Sequence, residues 1–265
     1  MKNKKIAIIG CGNLGLSILN GLLTNPLINP KNISITRRNF ECLEYLKNKG
    51  IDVSSNNSRV IKNSDIIIFA LKPYNILEIL KELNGDINAK KHIIISLATG
   101  ILIDEIQNNL TSSPPIFRAM PNTGADVGES MTCICSNSND SKKIDLVKQV
   151  FDSIGKTILI DENLMNASTV LGACGIAYVL RFIRGMIQGG IQIGFDAKTA
   201  SEIVTHTVRG ASELLIKRRQ HPEFEIDKVT TPKGCTIEGL NEMEHHGFSS
   251  SLIKGIVTSF DKIEK

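Results

Sequence analysis

The stretch "VTTPKGCTIEGLNEME", Val229 to Glu244, sets two threonines, a proline and a glycine directly before a helix-forming segment, with a third hydroxyl, Thr236, where that helix begins. Backbone N–H groups in the first turn of a helix have no intrahelical partners, so such an entrance can hold a carboxylate or a phosphate. The same residues also suit an ordinary N-cap preceded by a turn. A second chemical signal lies near the start of the chain. Gly10, Gly12 and Gly15 form G-x-G-x-x-G between the apolar run Lys5 to Ile9 and the segment "LSILNGLLTN". In a dinucleotide-binding turn the first glycine allows the sharp bend, the second lets a pyrophosphate reach the backbone, and the third lets helix and strand pack. At the end of the next strand, where an acidic residue would hold the ribose of NAD, the chain has Thr36, Arg37 and Arg38. A hydroxyl and guanidinium groups suit a 2′-phosphate, which favours NADPH, with NADH as the weaker alternative.

These groups need a scaffold to position them. "KIAII", "NISIT", "IDV", "DIIIFAL" and "HIIISLA" are short β-branched runs, the longer ones continuously apolar as in parallel strands covered on both faces. Helical patterns alternate with them. Leu16, Leu19, Leu22 and Leu23 recur at helical spacing, Phe40 to Lys49 reads as a helix stopped by Gly50, and another helix opens at Pro73. The alternation predicts an α/β fold with an N-terminal Rossmann-like doubly wound sheet. "PPIFRAMPNTG" and "SMTCICS" lie close together, so the sheet is expected to end in an antiparallel edge. "DLVKQVFDSIG" reads as a helix and "KTILI" as the last strand. Strand signals stop at Asp161, which divides the chain into a nucleotide-binding domain, 1–160, and an all-helical domain, 161–265. Glycines in "GMIQGGIQIGF" suit close helix packing, within the chain or between subunits.

Composition excludes other classes. The net charge of +4 is spread along the 265 residues, and no basic cluster is interleaved with aromatics, so no nucleic-acid partner is expected. The apolar start is short and broken by glycines, which does not read as a signal peptide. The charge-free stretch Asn163 to Leu180 contains Asn, Ser, Thr and Gly, which suits a buried helix and implies no membrane partner. Cys11, Cys42, Cys133, Cys135, Cys174 and Cys235 lack paired zinc spacing, so reduced thiols in a cytoplasm and no metal site are expected. Adjacent His245 and His246 point to different helix faces and stay outside the candidate site.

With the glycine fingerprint, the segments "FALKP", "RAMPNTGADVGESMT" and "TTPKGCTIEGLNEMEHHGF" make the chain resemble the pyrroline-5-carboxylate reductase family nearly end to end. The resemblance implies NADPH-dependent reduction of the small cyclic imine 1-pyrroline-5-carboxylate to L-proline. It also implies a helical domain that joins subunits into a homodimer or a larger homo-oligomer. Cofactor contacts implied by the match are Gly12, Asn13 and Leu14 at the pyrophosphate, Arg37 near the 2′-phosphate and Asn57 near the ribose. Ala70, Lys72 and Pro73 would lie beside the adenosine, and Met120 and Asn122 toward the nicotinamide. Thr231, Gly234 and Cys235 would line the substrate carboxylate pocket, with Thr236 facing the imine nitrogen as the catalytic hydroxyl. Three departures stand out. The family usually has G-S-G-P-A-Y where this chain has Ala173, Cys174, Gly175, Ile176, Ala177 and Tyr178. It usually has P-G-G where this chain has Pro232, Lys233 and Gly234, and "MPNTP" has become Thr123-Gly124 at its end. Two alternatives therefore stay open: a reductase for another carboxylated imine or carbonyl, and a non-catalytic NADP-binding regulatory protein.

Overall fold

In the computed structural model, which describes residues 3–264, the β-branched runs of the N-terminal half become strands of one sheet. In chain order the elements are β1 (Ile6–Ile9), α1 (Asn13–Thr24), β2 (Ile33–Thr36), β3 (Asp52–Ser54), α2 (Asn57–Lys62), β4 (Ile66–Phe69) and α3 (Pro73–Glu82). They continue with β5 (Ile93–Ser96), α4 (Ile103–Asn108), β6 (Ile116–Met120), β7 (Ser130–Ser136), α5 (Ser141–Phe151) and β8 (Gly155–Leu159). The sheet order β3-β2-β1-β4-β5-β6-β7-β8 is the expected doubly wound arrangement, reversing direction between β1 and β4. Pairing is parallel through β6 and antiparallel from β6 to β7, with Phe117 opposite Ser136 and Met120 opposite Cys133. Two strands run against the others, β7 and the edge strand β8, and these two pair with each other in parallel.

Strand side chains alternate between faces, which divides the isoleucines into two cores. Ile6, Ile8, Ile33, Ile35, Ile66 and Ile68 pack with Leu19 and Leu22 of α1 and Val147 of α5. Ala7, Ile9, Ile67 and Phe69 pack on the other face with Ile76 and Leu80 of α3. Each buried Ile, Leu, Val or Phe side chain contributes about 1.5–3 kcal/mol, so both faces hold the sheet together. Residues 41–49 depart from expectation by forming a 3₁₀ helix in place of an α-helix. Its buried residues, Leu43 and Leu46, are three apart, the repeat of that tighter helix. Gly50 ends it at φ 84°, the left-handed stop that glycine supplies.

After β8 come α6 (Met165–Ser168) and a π-helical turn, Thr169–Cys174, in which Thr169 and Val170 are buried. Contacts group the chain through Cys174 with the sheet, and Gly175–Lys262 forms a second compact unit. The elements of that second part are α7 (Gly175–Gln192), α8 (Ala197–Arg218), α9 (Pro222–Val229), α10 (Cys235–His245) and α11 (Phe248–Glu264). Gly190 lets α7 approach α8, since a Cβ there would lie 3.2 Å from that of Ala200. The Tyr178 hydroxyl shares a 2.7 Å hydrogen bond with Ser259, and the Phe182 and Phe248 rings lie 6.1 Å apart. Among the described residues of this unit only Ala200 and Val204 are buried hydrophobics. The charge-free stretch expected to be a buried helix is only partly so: Met165, Thr169 and Val170 are buried, whereas Leu171, Val179 and Leu180 are exposed. Glu162–Gln192 is in fact long and apolar enough to cross a membrane by length and composition.

Candidate functional site

The glycine turn follows β1 at the carboxyl end of the sheet, where parallel strands deliver their loops to a ligand. Gly10 sits at φ 83°, and a Cβ there would strike Leu71 and lie 3.0 Å from the Ala70 carbonyl. Only glycine fits that turn. At Gly12 the reason is different, because a Cβ would meet no neighbouring protein atom nearer than 3.9 Å. The free space adjoins a cavity, so a side chain at residue 12 would fill the place of a ligand. Gly12 is also the N-cap of α1, and no side chain caps that end. The amides of Asn13, Leu14 and Gly15 are thus left for an anion, and the helix dipole adds to their attraction.

Two cavities, of about 420 and about 660 Å³, share Gly12, Ala70, Leu71 and Lys72 as a common wall. Gly10, Thr36, Arg37, Arg38 and Asn57 line the smaller. Asn13, Leu14, Gly15, Pro73, Met120 and Asn122 line the larger. Every residue expected to contact the cofactor therefore borders one cavity or both. Arg37 is half-buried and Arg38 exposed, and neither guanidinium makes a hydrogen bond or ion pair among the described residues. Thr36 is 2% exposed, yet its Oγ1 has no partner. An orphaned hydroxyl and two unpaired guanidiniums on the wall of one cavity are a donor set that suits a phosphate. Cys11, inside the turn, has its thiol pushed up to about 12 by burial, against the opposing pull of Arg37. It is a neutral packing residue. Burial likewise raises Cys133, and raises Cys135 to about 11.

The larger cavity contains residues that sequence reasoning missed, among them Ser17, Leu97, Thr99, Asp126 and Ala173. Leu97 and Thr99 lie within three residues of the end of β5, and that position at a strand's carboxyl end was the available signal. Ser17 of α1 hydrogen-bonds Asp126, a pairing across the chain that no local pattern announces. Arg118, 2% exposed, pairs with Glu162 at 2.9 Å, and Glu162 also accepts from the Ile103 amide at 2.8 Å. This pair ties β6 to the start of α4 and lies behind Met120 in sequence. No group of three or more His, Cys, Asp or Glu side chains that could hold a metal ion occurs among the described residues.

The other expected group lies in the helical unit. Thr231, Pro232, Lys233 and Gly234 form a tight turn closed by Gly234 N–H donating to the Thr231 carbonyl at 2.9 Å. Lys233 takes φ 59°, a left-handed value at the third position of a turn, where glycine is favoured. A Cβ on Gly234 would lie 2.9 Å from the Thr231 carbonyl, so this glycine is required by close approach. Gly234 is the N-cap of α10 and, as at α1, no side chain caps the helix. Thr236 is the second helical residue, half-buried, and is not the cap. Its hydroxyl makes no hydrogen bond among the described residues, while Thr231 and Cys235 are exposed. His246 is engaged with Glu242 at 3.1 Å.

A family model described as pyrroline-5-carboxylate reductase dimerisation matches residues 162–265, and one described as NADP oxidoreductase, coenzyme F420-dependent, matches residues 5–100. Pyrroline-5-carboxylate reductase 1 of Dictyostelium discoideum is 41% identical over 97% of this chain, which spans about half, 49%, of that protein's length. Pyrroline-5-carboxylate reductase 2 of the same organism is 39% identical, covering 99% of this chain and 93% of its own. A crystal structure of Plasmodium falciparum pyrroline carboxylate reductase with NADP bound has a TM-score of 0.89 at 27% identity, over 99% of this chain and 98% of that one.

Proposed function

The chain belongs to the pyrroline-5-carboxylate reductase family, and on that premise we propose that it reduces 1-pyrroline-5-carboxylate to L-proline with NADPH. The observation that carries this reading is the pair of adjoining cavities, which share a wall at Gly12 and run from the Thr36–Arg38 donors to Met120 and Asn122. When bound, NADPH supplies the hydride for the C=N carbon. Thr36, Arg37 and Arg38 hold the 2′-phosphate, which sets the preference over NADH. The amides at Asn13, Leu14 and Gly15 hold the pyrophosphate, Asn57 the ribose, and Ala70, Lys72 and Pro73 flank the adenosine. Met120 and Asn122 border the nicotinamide end.

The substrate carboxylate is assigned to Thr231, Gly234, Cys235 and the uncapped start of α10. Anchoring the acid fixes the imine for attack, and such orientation accounts for much of the rate. The imine nitrogen then needs a proton. Thr236 offers a hydroxyl with no other engagement, and it relays a proton from solvent because an alcohol is too weak an acid to act alone.

In this division of labour the domain expected over 1–160 binds the cofactor, with Ala173 of the turn that follows adding to its cavity, and the helical domain expected over 161–265 dimerises and binds the substrate. A second copy of the chain covers the apolar surface of α7 and α11, so that surface faces protein and not lipid, in a homodimer or a larger homo-oligomer. The six free cysteines, three of them buried, suit a cytoplasmic setting. Lys233 favours a second reading, a different carboxylated imine as substrate, because it places an ammonium in the substrate turn. Following NADPH absorbance with a panel of cyclic imino acids tests both. Fastest oxidation with 1-pyrroline-5-carboxylate is expected, faster reaction with another imine moves the assignment to it, and no oxidation with any imine contradicts the reductase.

A further inference from the structure

One turn in the wall of the larger cavity is not α-helical. Thr169–Cys174 is π-helical, and Ala173 within it lines the cavity. A π-turn takes carbonyls out of the i to i+4 register, and such turns are uncommon and frequently sit at functional sites. Side chains hold this one at both ends. The hydroxyls of Ser168 and Thr169 both donate to the Met165 carbonyl, each at 2.9 Å, and back-bonding of that kind bends a helix. At the other end the Asn122 side-chain nitrogen donates to the Gly172 carbonyl at 3.0 Å. Asn122 is 7% exposed, and its amide can point only one way because its Oδ1 accepts from the Gly124 N–H at 2.9 Å. Its own backbone N–H donates to the Ser130 hydroxyl at 3.0 Å, so the residue is fastened to β7 as well.

We propose that Asn122 is a positioning residue: by holding the Gly172 carbonyl it keeps the π-turn open and so sets Ala173 in the wall of the cavity assigned to the nicotinamide end. This rests on the cofactor reading above. In a regular α-helix the Gly172 carbonyl accepts from the amide of residue 176. Residue 176 is isoleucine and has that amide. Without Asn122 the turn closes into the α register and draws Ala173 back. A proline at 176 has no amide, so it blocks that closure.

The test measures NADPH affinity by fluorescence titration, together with thermal unfolding, in the full chain and in Asn122→Ala, Ile176→Pro and the double variant. Asn122→Ala should weaken NADPH about tenfold, the scale of one lost buried hydrogen bond. Ile176→Pro alone should bind within about twofold of wild type, because the amide it removes is dispensable while Asn122 is present. The double variant should recover to within about threefold of wild type and yet melt below Asn122→Ala, since its Gly172 carbonyl is left without a donor. A purely structural role would not let affinity recover while stability falls. Wild-type affinity in Asn122→Ala, or a double variant that binds no better than it, overturns the proposal. If Asn122→Ala does not fold, Ile176→Pro decides. Wild-type binding supports the proposal, and loss of fold or binding overturns it by assigning the Gly172 carbonyl to the residue 176 amide. Failure of the wild-type chain to bind NADPH defeats the cofactor reading instead, which keeps the two failures apart.

Discussion

The sheet carries its isoleucines buried on both faces, whereas in the unit Gly175–Lys262 Leu180, Ile193, Ile216 and Ile253 stand exposed and only Ala200 and Val204 are buried hydrophobics. The candidate residues differ in the same sense. Those of the sheet border cavities formed wholly by their own unit, while the helical unit presents an open turn with Lys233 in a left-handed conformation. On the proposed function, cofactor binding draws only on the sheet unit, whereas turnover draws on the helical unit, whose apolar surface matches a dimerisation family model.

The largest test removes the second copy. Leu180→Asp combined with Ile253→Asp places charges on the exposed apolar surface, and an unpaired charge buried in an interface costs about 3–5 kcal/mol. Light scattering should show monomers, turnover should fall about 100-fold or more by the same figure, and NADPH affinity should hold within about twofold. A fully active monomer would contradict the need for a second copy. Arg37→Ala acts on the cofactor side. NADPH should weaken by about 1.5–3 kcal/mol, the range of a charged hydrogen bond, with little change for NADH. Equal weakening of both in calorimetric titration removes Arg37 from the 2′-phosphate.

Lys233→Gly acts at the strained turn. Relief of the left-handed conformation should raise unfolding stability by about 1 kcal/mol. The KM for pyrroline carboxylate should rise up to about tenfold, equal to about 1.4 kcal/mol, if the ammonium meets the substrate acid. An unchanged KM makes Lys233 a solvated side chain. The smallest effect belongs to the sheet unit. His92 is buried, its Nδ1 accepts the Asn88 N–H at 3.0 Å, and burial with the Lys91 charge holds its pKa below the ordinary 6.5. The unfolded chain therefore binds the proton first. Stability is fully present above pH 6.5 and declines as pH falls from there toward the folded-state value. Urea unfolding at several pH values should show that decline, and His92→Gln should flatten it.

The strands were legible because runs such as "DIIIFAL" are apolar on both faces, and the cofactor turn because three glycines at fixed spacing have few other uses. The short gap between β6 and β7 likewise gave away their antiparallel pairing. Features set by distant partners were not legible. The π-turn at Thr169–Cys174 depends on Asn122, the burial of Arg118 on Glu162, and the 3₁₀ form of residues 41–49 on where Leu43 and Leu46 meet the sheet. The exposure of Leu171, Val179 and Leu180 was not legible for a related reason, since composition does not say whether an apolar face is covered by its own chain or by another.

Thr236 tests the division of labour most directly. In Thr236→Ala, kcat for pyrroline carboxylate and the Kd for NADPH are measured on the same preparation. The kcat should fall on the order of tenfold or more, at or below the contribution of a positioned acid, while the Kd for NADPH stays at its wild-type value. An unchanged kcat, or a loss of NADPH affinity that matches the loss of turnover, would contradict that division.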